Sequence, residues 1–266
     1  MSALYLRVTD LGVRYGETVA LQEASLEINQ GERLALIGES GSGKSTMAMA
    51  VAGLLPRGAS VIGTLDFPVL GHSLRLGRDV GVLFQDPDGS LDPVMSVGDQ
   101  IAEVAMMHQG IGWIAARVHA AELLGHVQIA RPLTRLNSYP HEFSGGQKQR
   151  IALAIALAGN PSLLIADEPS SALDTVVQRH VVNLLDELVR ERGMTLMFIT
   201  HDIALASERA DKIGVLYQGR LVEFGPAAEV LGSPRHAYTR ALINTHISLD
   251  TPHSKRLPEI DKAGLV

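Results

Sequence analysis

The sequence predicts an α/β fold built on a largely parallel sheet, and three observations carry that prediction. Arg33–Ile37, Val80–Phe84, Ser162–Ala166 and Thr195–Thr200 are short, nearly continuous apolar runs, the pattern of strands buried on both faces. The first runs straight into a glycine-rich segment, followed by the helix-forming stretch Met47–Leu55 that stops at Pro56-Arg57-Gly58. Between the last two runs, Thr175–Arg192 has the length and composition of the crossover helix that neighbouring parallel strands need.

The remaining elements follow in order. Leu4-Tyr5-Leu6-Arg7-Val8 alternates, and Ala20–Ile28 carries apolar residues at period-2 positions before the turn Asn29-Gln30-Gly31, so the chain opens on strands. From Ser96 to about Ala158 the period changes: Val97-Ile101-Val104-Ala105 and Ile114-Val118-Ala121-Leu124 have helical spacing. No convincing strand interrupts this stretch, which reads as a helical subdomain, about 86–160, inserted into a domain spanning 1–250. The tail 251–266 is polar, contains Pro252 and Pro258, and is expected to be poorly ordered.

Composition narrows the function classes. The 266 residues are 46% hydrophobic and 20% charged, an ordinary globular balance. A net charge of −6 lacks the basic footprint of a nucleic-acid binder, so no nucleic-acid partner is expected. With no cysteine, disulfides, thiolate metal sites and cysteine nucleophiles are excluded together. The N-terminus lacks a basic n-region and an apolar h-region. The longest apolar runs, Met47–Leu55 and Ile151–Ala158, fall well short of the roughly 18 residues that cross a bilayer. The chain is therefore expected to be soluble by itself, with any membrane role coming through a partner.

Gly38-Glu39-Ser40-Gly41-Ser42-Gly43-Lys44-Ser45 matches the phosphate-loop pattern G-x-x-x-x-G-K-[ST]. Its glycines let successive backbone N–H groups turn inward around phosphate oxygens, where a Cβ would obstruct them. The following helix adds its N-terminal amides, from Lys44, Ser45 and Thr46 onward, and the positive end of its dipole. Lys44 places a cation on the outer phosphates, and the Ser45 hydroxyl is a ligand for Mg²⁺. A glycine-rich turn is the bland alternative; by itself the loop specifies only a nucleoside triphosphate.

Leu163-Leu164-Ile165-Ala166-Asp167-Glu168 is an apolar strand that ends in two acids. Adjacent carboxylates at a buried strand end need cations or donors to offset desolvation. In a Walker-B reading, Asp167 holds the Mg²⁺ shell and Glu168 orients or deprotonates the attacking water. A solvated strand end before Pro169 is the alternative.

Between these motifs stands Ser144-Gly145-Gly146-Gln147-Lys148, preceded by Phe143. It resembles the L-S-G-G-Q signature of ABC ATPases, and a serine with two glycines opening the helix Gln147–Ala158 makes a second anion-binding terminus. A plain helix N-cap is the other reading of the tripeptide. The other landmarks of that family occur in order. Tyr15 matches the adenine-stacking aromatic, Gln85 the Q-loop glutamine near Mg²⁺ and water, Ser171-Ala172-Leu173-Asp174 the D-loop, and His201 the switch histidine at the γ-phosphate; a buried strand tyrosine and a structural or solvated histidine are the alternatives for Tyr15 and His201.

The resemblance covers about residues 4–245. It implies a P-loop NTPase core of the ABC ATPase type, with an antiparallel β subdomain and the inserted helical subdomain. It also implies ATP and Mg²⁺ as ligands, and a sandwich in which Ser144, Gly145, Gly146 and Gln147 grip the nucleotide of a second subunit.

Phe84–Pro93, Tyr139–Gly146 and Ser233-Pro234-Arg235-His236-Ala237-Tyr238-Thr239-Arg240 are similar to the ATPases of oligopeptide, dipeptide, nickel and metallophore importers. That likeness implies two membrane permeases, a second related ATPase chain (a heterodimer in preference to a homodimer), an extracytoplasmic binding protein, and a peripheral place on the cytoplasmic face of the cell membrane. The early end and absence of cysteines point toward the short nickel or metallophore members, although short peptide-importer subunits also exist. A non-transport ABC ATPase acting on DNA or ribosomes is the alternative; the short span from Lys44 to Asp167 and the single motif set speak against it. Ten histidines raise the question of a metal site, yet none has ligand spacing, and His119 and His126 read as surface or satisfied residues. Met106-Met107 reads as helix packing, and Trp113 fits a membrane partner or the core equally well.

Overall fold

The computed structural model describes residues 3–169 and 175–247. In chain order the elements are β1 (Leu4–Tyr15), β2 (Thr18–Asn29), β3 (Arg33–Ile37), α1 (Lys44–Ala52), β4 (Ala59–Asp66), β5 (Val80–Leu83), α2 (Pro87–Ser90), α3 (Val97–Gln109), α4 (Trp113–His126), α5 (Pro132–Arg135), α6 (Gly145–Leu157), β6 (Leu163–Asp167), α7 (Thr175–Glu191), β7 (Thr195–Ile199), α8 (Ile203–Arg209), β8 (Lys212–Tyr217), β9 (Arg220–Pro226), α9 (Ala227–Gly232) and α10 (Ala237–Ile247). The architecture is α/β. The chain forms two compact units, one from the residues up to 69 together with those from 198 onward, the other from residues 70–197.

In the first unit the strand order is β4-β1-β2-β9-β8-β3. β1 pairs antiparallel with both β2 and β4, β8 antiparallel with β9, and β3 parallel with β8. Leu6, Val8, Leu11, Val13, Leu21 and Ile28 supply the buried face of the β1–β2 ribbon. Strict alternation fails at Asp10, where φ is +48° and the β1–β2 register shifts between Val8 and Leu11. The bulge inserts a residue, so Leu11 regains the inward face. The Ser25 hydroxyl accepts the Asp10 N–H at 2.8 Å, which holds the kink. β4 is an edge strand in this order, and exposed Val61 and Ile62 lie on it. With no buried position in β4, nothing in its sequence marks an apolar face, and no strand is expected there from the sequence.

In the second unit the order is β7-β6-β5, with β5 and β6 parallel in the register Val80↔Leu163, Val82↔Ile165. The helical stretch after Ser96 comprises α3 to α6. Ser96 caps α3 by accepting the Asp99 N–H at 3.2 Å, and Gly110 ends it at φ +68°. The face that α4 buries is not the one its largest apolar side chains suggest. Ala116, Ala120, Leu123 and Leu124 are buried, whereas Ile114 and Val118 are 83% and 57% exposed. Alanines at i and i+4 let α4 approach its neighbours closely, and the branched side chains are left on the outer face. Arg117, from the same helix, pairs with Asp99 on α3 and donates to the Asn137 side chain at 2.7 Å.

Candidate functional site

The phosphate loop leaves β3 at Ile37 and enters α1 at Lys44, and three of its glycines have positive φ: Gly38 at +147°, Gly41 at +78° and Gly43 at +106°. Two are fixed sterically as well. A Cβ on Gly38 would run into the Leu216 carbonyl of β8, and one on Gly43 would lie 2.7 Å from the Ala20 carbonyl of β2. The loop is tied to the β8–β9 turn by the Gly219 N–H, which donates to the Ser42 carbonyl at 3.1 Å. Lys44, 6% exposed, folds back inside its own loop and donates to the Gly38 and Glu39 carbonyls, both at 2.8 Å.

An ATP polyphosphate fits this geometry. The cradle leaves no room for a Cβ at Gly38 or Gly43, the first turn of α1 has no side-chain cap, and the Ser42 hydroxyl is buried with no hydrogen-bond partner. Ser40 and Ser45 are exposed on the loop and the first turn, while Thr46 is buried. Tyr15 ends β1 half-buried, and its hydroxyl reaches the Thr46 hydroxyl at 3.5 Å, which sets its ring beside the phosphate-loop helix. His201 is exposed and follows β7; the preceding Thr200 N–H donates to the Leu36 carbonyl on β3, two residues before Gly38. Asp202 accepts the Leu205 N–H and so caps α8. Tyr15, residues 38–46 and His201 therefore belong to one unit.

The second unit holds the other candidates. Asp167 ends β6 and Glu168 follows it, both half-buried. Glu168 has φ +43° directly before Pro169, a left-handed conformation that ends the strand abruptly. Gln85, exposed just beyond β5, donates its side-chain amide to the Glu168 carboxylate at 3.4 Å. Strand β5 beside β6 in parallel register brings these two chain ends together.

The signature helix α6 begins at Gly145, two residues earlier than its apolar pattern suggests. The Ser144 hydroxyl accepts the Gln147 N–H at 3.4 Å, and the Gln147 side-chain oxygen accepts the Ser144 N–H at 3.0 Å, forming a capping box. The capping reading of this serine holds, and the hydroxyl proton is still available to donate to an anion. Ser171, Ala172, Leu173 and Asp174 lie outside the described residues.

Sequence reasoning passed over two contacts of α6. Buried Gln149 donates to the Phe84 carbonyl at 3.3 Å, and Lys148 pairs with Asp88 of α2. The only signal for the first is an amide side chain on the apolar face of a helix, next to Ile151 and Ala152.

A profile of the ABC transporter family matches residues 21–171, more than half of the chain. This chain belongs to the ABC transporter ATPase family. It is an ATPase. A second profile, for the C-terminal region of oligopeptide/dipeptide transporters, matches residues 222–264. The oligopeptide transport ATP-binding protein OppD of Bacillus subtilis (strain 168) is 40% identical over 96% of this chain and 75% of its own length. The dipeptide transport ATP-binding protein DppD of Escherichia coli (strain K12) is 42% identical over 90% of this chain and 77% of its own.

Among solved structures, the ATP-binding cassette MJ0796, a dimer in a post-hydrolysis state bound to ADP and Pi, superposes with a TM-score of 0.71 at 28% identity, covering 84% of this chain and 98% of that one. CbiO1 of Clostridium perfringens, part of the ABC transporter complex CbiONQ, gives 0.73 at 29% identity, over 87% and 92%. No helix among the described residues is long and apolar enough to cross a membrane.

Proposed function

We propose that this ABC ATPase is the motor of a peptide importer, docked on the cytoplasmic face of the cell membrane against two permease subunits. The observation that carries the reading is the match of residues 222–264 to the C-terminal region of oligopeptide/dipeptide transporters. The peptide names of its relatives at 40% and 42% identity support it. Nickel and metallophore cargoes, suggested by the absence of cysteine, have no such support, and a role on DNA or ribosomes has none.

In the mechanism the loop 38–46 encloses the ATP phosphates and Tyr15 stacks on the base. Ser45 in the first unit and, in the second, Asp167 with Gln85 each carry an oxygen of the kind that would hold Mg²⁺, which would neutralise charge on the phosphates. Glu168 takes the proton of the attacking water, and Lys44 and His201 stabilise charge on the γ-phosphate. Ser144, Gly145, Gly146 and Gln147 donate to the γ-phosphate held by a related second ATPase chain, with Asp174 at the same interface. A heterodimer is favoured over a homodimer. An extracytoplasmic binding protein delivers the cargo.

Gentle solubilisation of native membranes, capture of this chain and identification of its companions tests the proposal. Two permeases, a related ATPase and a binding protein loaded with peptide are expected. A binding protein carrying nickel or a metallophore would overturn the peptide assignment, and recovery with ribosomes or DNA would overturn transport.

A further inference from the structure

The peptide unit joining Gly38 to Glu39 is gripped at both ends. Its carbonyl accepts from the Lys44 ammonium at 2.8 Å, and its N–H donates to the hydroxyl of Tyr238, also at 2.8 Å. Because a peptide unit is planar, fixing its N–H fixes the direction of its carbonyl. Tyr238 lies on α10, 199 positions along the chain from Glu39, inside the segment matched by the transporter C-terminal profile.

The tyrosine is itself held rigidly. It is fully buried, and its ring stacks on Tyr217 at 4.2 Å between centroids and 27° between planes. Its N–H donates to His236 Nδ1 at 3.1 Å. The Glu223 carboxylate on β9 accepts the Arg235 and His236 amides at 2.9 and 3.1 Å, and Arg240 donates to the Pro234 and Arg235 carbonyls. Thus β8 and β9 frame both partners: the Leu216 carbonyl leaves no room for a Cβ on Gly38, Tyr217 stacks on Tyr238, and Glu223 seats the turn that presents the hydroxyl. Burial pushes the Tyr238 phenol up to about 12, so it stays neutral as the acceptor of the Glu39 N–H.

We propose that Tyr238 is a positioning residue for the nucleotide: through the Gly38–Glu39 peptide it aims the carbonyl that holds Lys44, and it links the C-terminal region to occupancy of the phosphate loop. The proposal rests on the nucleotide reading of that loop. It gives the C-terminal region a role at the ATP site, distinct from any contact with permeases. The linkage is reciprocal, so bound nucleotide must also steady α10.

The test uses the purified full chain, with ATP binding followed by calorimetry and steady-state hydrolysis by the assembled transporter. Tyr238→Phe keeps the ring stack and removes the acceptor. Loss of one such hydrogen bond weakens ATP binding by roughly fivefold and raises KM similarly, with kcat at saturation little changed. Tyr217→Leu removes the stack but leaves the hydroxyl, and affects ATP binding less than Tyr238→Phe does. A purely structural role would reverse that order, lowering the thermal midpoint while Tyr238→Phe bound ATP within twofold of the parent, and that result overturns the proposal.

Amide hydrogen exchange on the unmodified chain supplies an arm free of folding defects: ATP should slow exchange across 233–247. Unchanged exchange there overturns the linkage. A parent chain that bound no ATP would instead overturn the nucleotide reading itself.

Discussion

Gln149 donates its side-chain amide to the Phe84 carbonyl at 3.3 Å, joining the signature helix to the strand end that carries Gln85. Gln149 is 1% exposed, so the donor lies out of water, while the accepting residue Phe84 is 41% exposed. From the adjacent residue, Lys148 and Asp88 bridge the same two segments at the surface, Lys148 18% and Asp88 68% exposed. The Q-loop and the signature terminus are therefore mechanically connected within one chain.

The two contacts differ in strength for a physical reason. Replacing Gln149 with Leu removes a hydrogen bond from a buried donor and should lower unfolding free energy by about 0.5–1.5 kcal/mol. Lys148→Ala breaks an ion pair whose acid is mostly in water, and should cost about 0.5 kcal/mol or less. Urea unfolding of the two variants checks the order. Equal midpoints for Gln149→Leu and the parent would show that the buried tie contributes nothing.

Gly43→Ala is expected to damage the phosphate loop far more than Gly41→Ala. Both positions have positive φ, but only at Gly43 does the added Cβ meet backbone, the Ala20 carbonyl at 2.7 Å; at Gly41 it meets open space. A shift of the loop away from β2 follows, and ATP binding should fall by roughly tenfold or more, against a few-fold at Gly41. Calorimetric titration with ATP separates the two. Similar losses at both positions would mean that backbone strain, not the Ala20 contact, governs the loop.

The parts of the site legible in sequence are those whose chemistry is local. A glycine loop between strand and helix, and two acids closing an apolar strand, declare themselves within eight residues of chain. The capping box of Ser144 and Gln147 is equally local. Strand β4 was not legible, because an exposed edge strand has no apolar alternation to read. The face of α4 was not either, since its small alanines decide packing while Ile114 and Val118 dominate any hydropathy pattern. Tyr238 stood in view as part of a subgroup pattern, but its partner lies 199 positions away, and no periodicity encodes such a contact.

Acid should weaken the first unit through Glu32. Burial raises its carboxyl pKa, but the Asn29 N–H, the Lys212 ammonium and the Asn29 amide together outweigh that and hold it below the ordinary value. The contacts are 2.7 Å to each Asn29 donor and 2.8 Å to Lys212. A carboxyl depressed on folding contributes stability that is fully present above its unfolded value and is lost as pH falls through the folded one. Between about pH 6 and pH 3, stability should therefore fall, and Glu32→Gln should flatten part of that fall by removing the titrating group. Denaturant melts at several pH values measure the slope; an unchanged slope in the variant would remove Glu32 from the acid response.

Glu168 follows the buried strand β6 in a left-handed conformation, with the Gln85 amide 3.4 Å from its carboxylate. Glu168→Gln preserves size and hydrogen-bonding reach but cannot take a proton from water. General-base contributions are typically about 10²–10⁴-fold, so hydrolysis should fall by at least about a hundredfold. ATP affinity should hold or rise, since the substitution removes one negative charge from a protein that binds a polyanion. Gln85→Ala should act more weakly, because it removes the amide that steadies the carboxylate and leaves the base in place. Single-turnover hydrolysis in the assembled transporter orders the three proteins. If Glu168→Gln turned over at the parent rate, the base would have to be another group, and the pairing of Gln85 with Glu168 would lose its catalytic meaning.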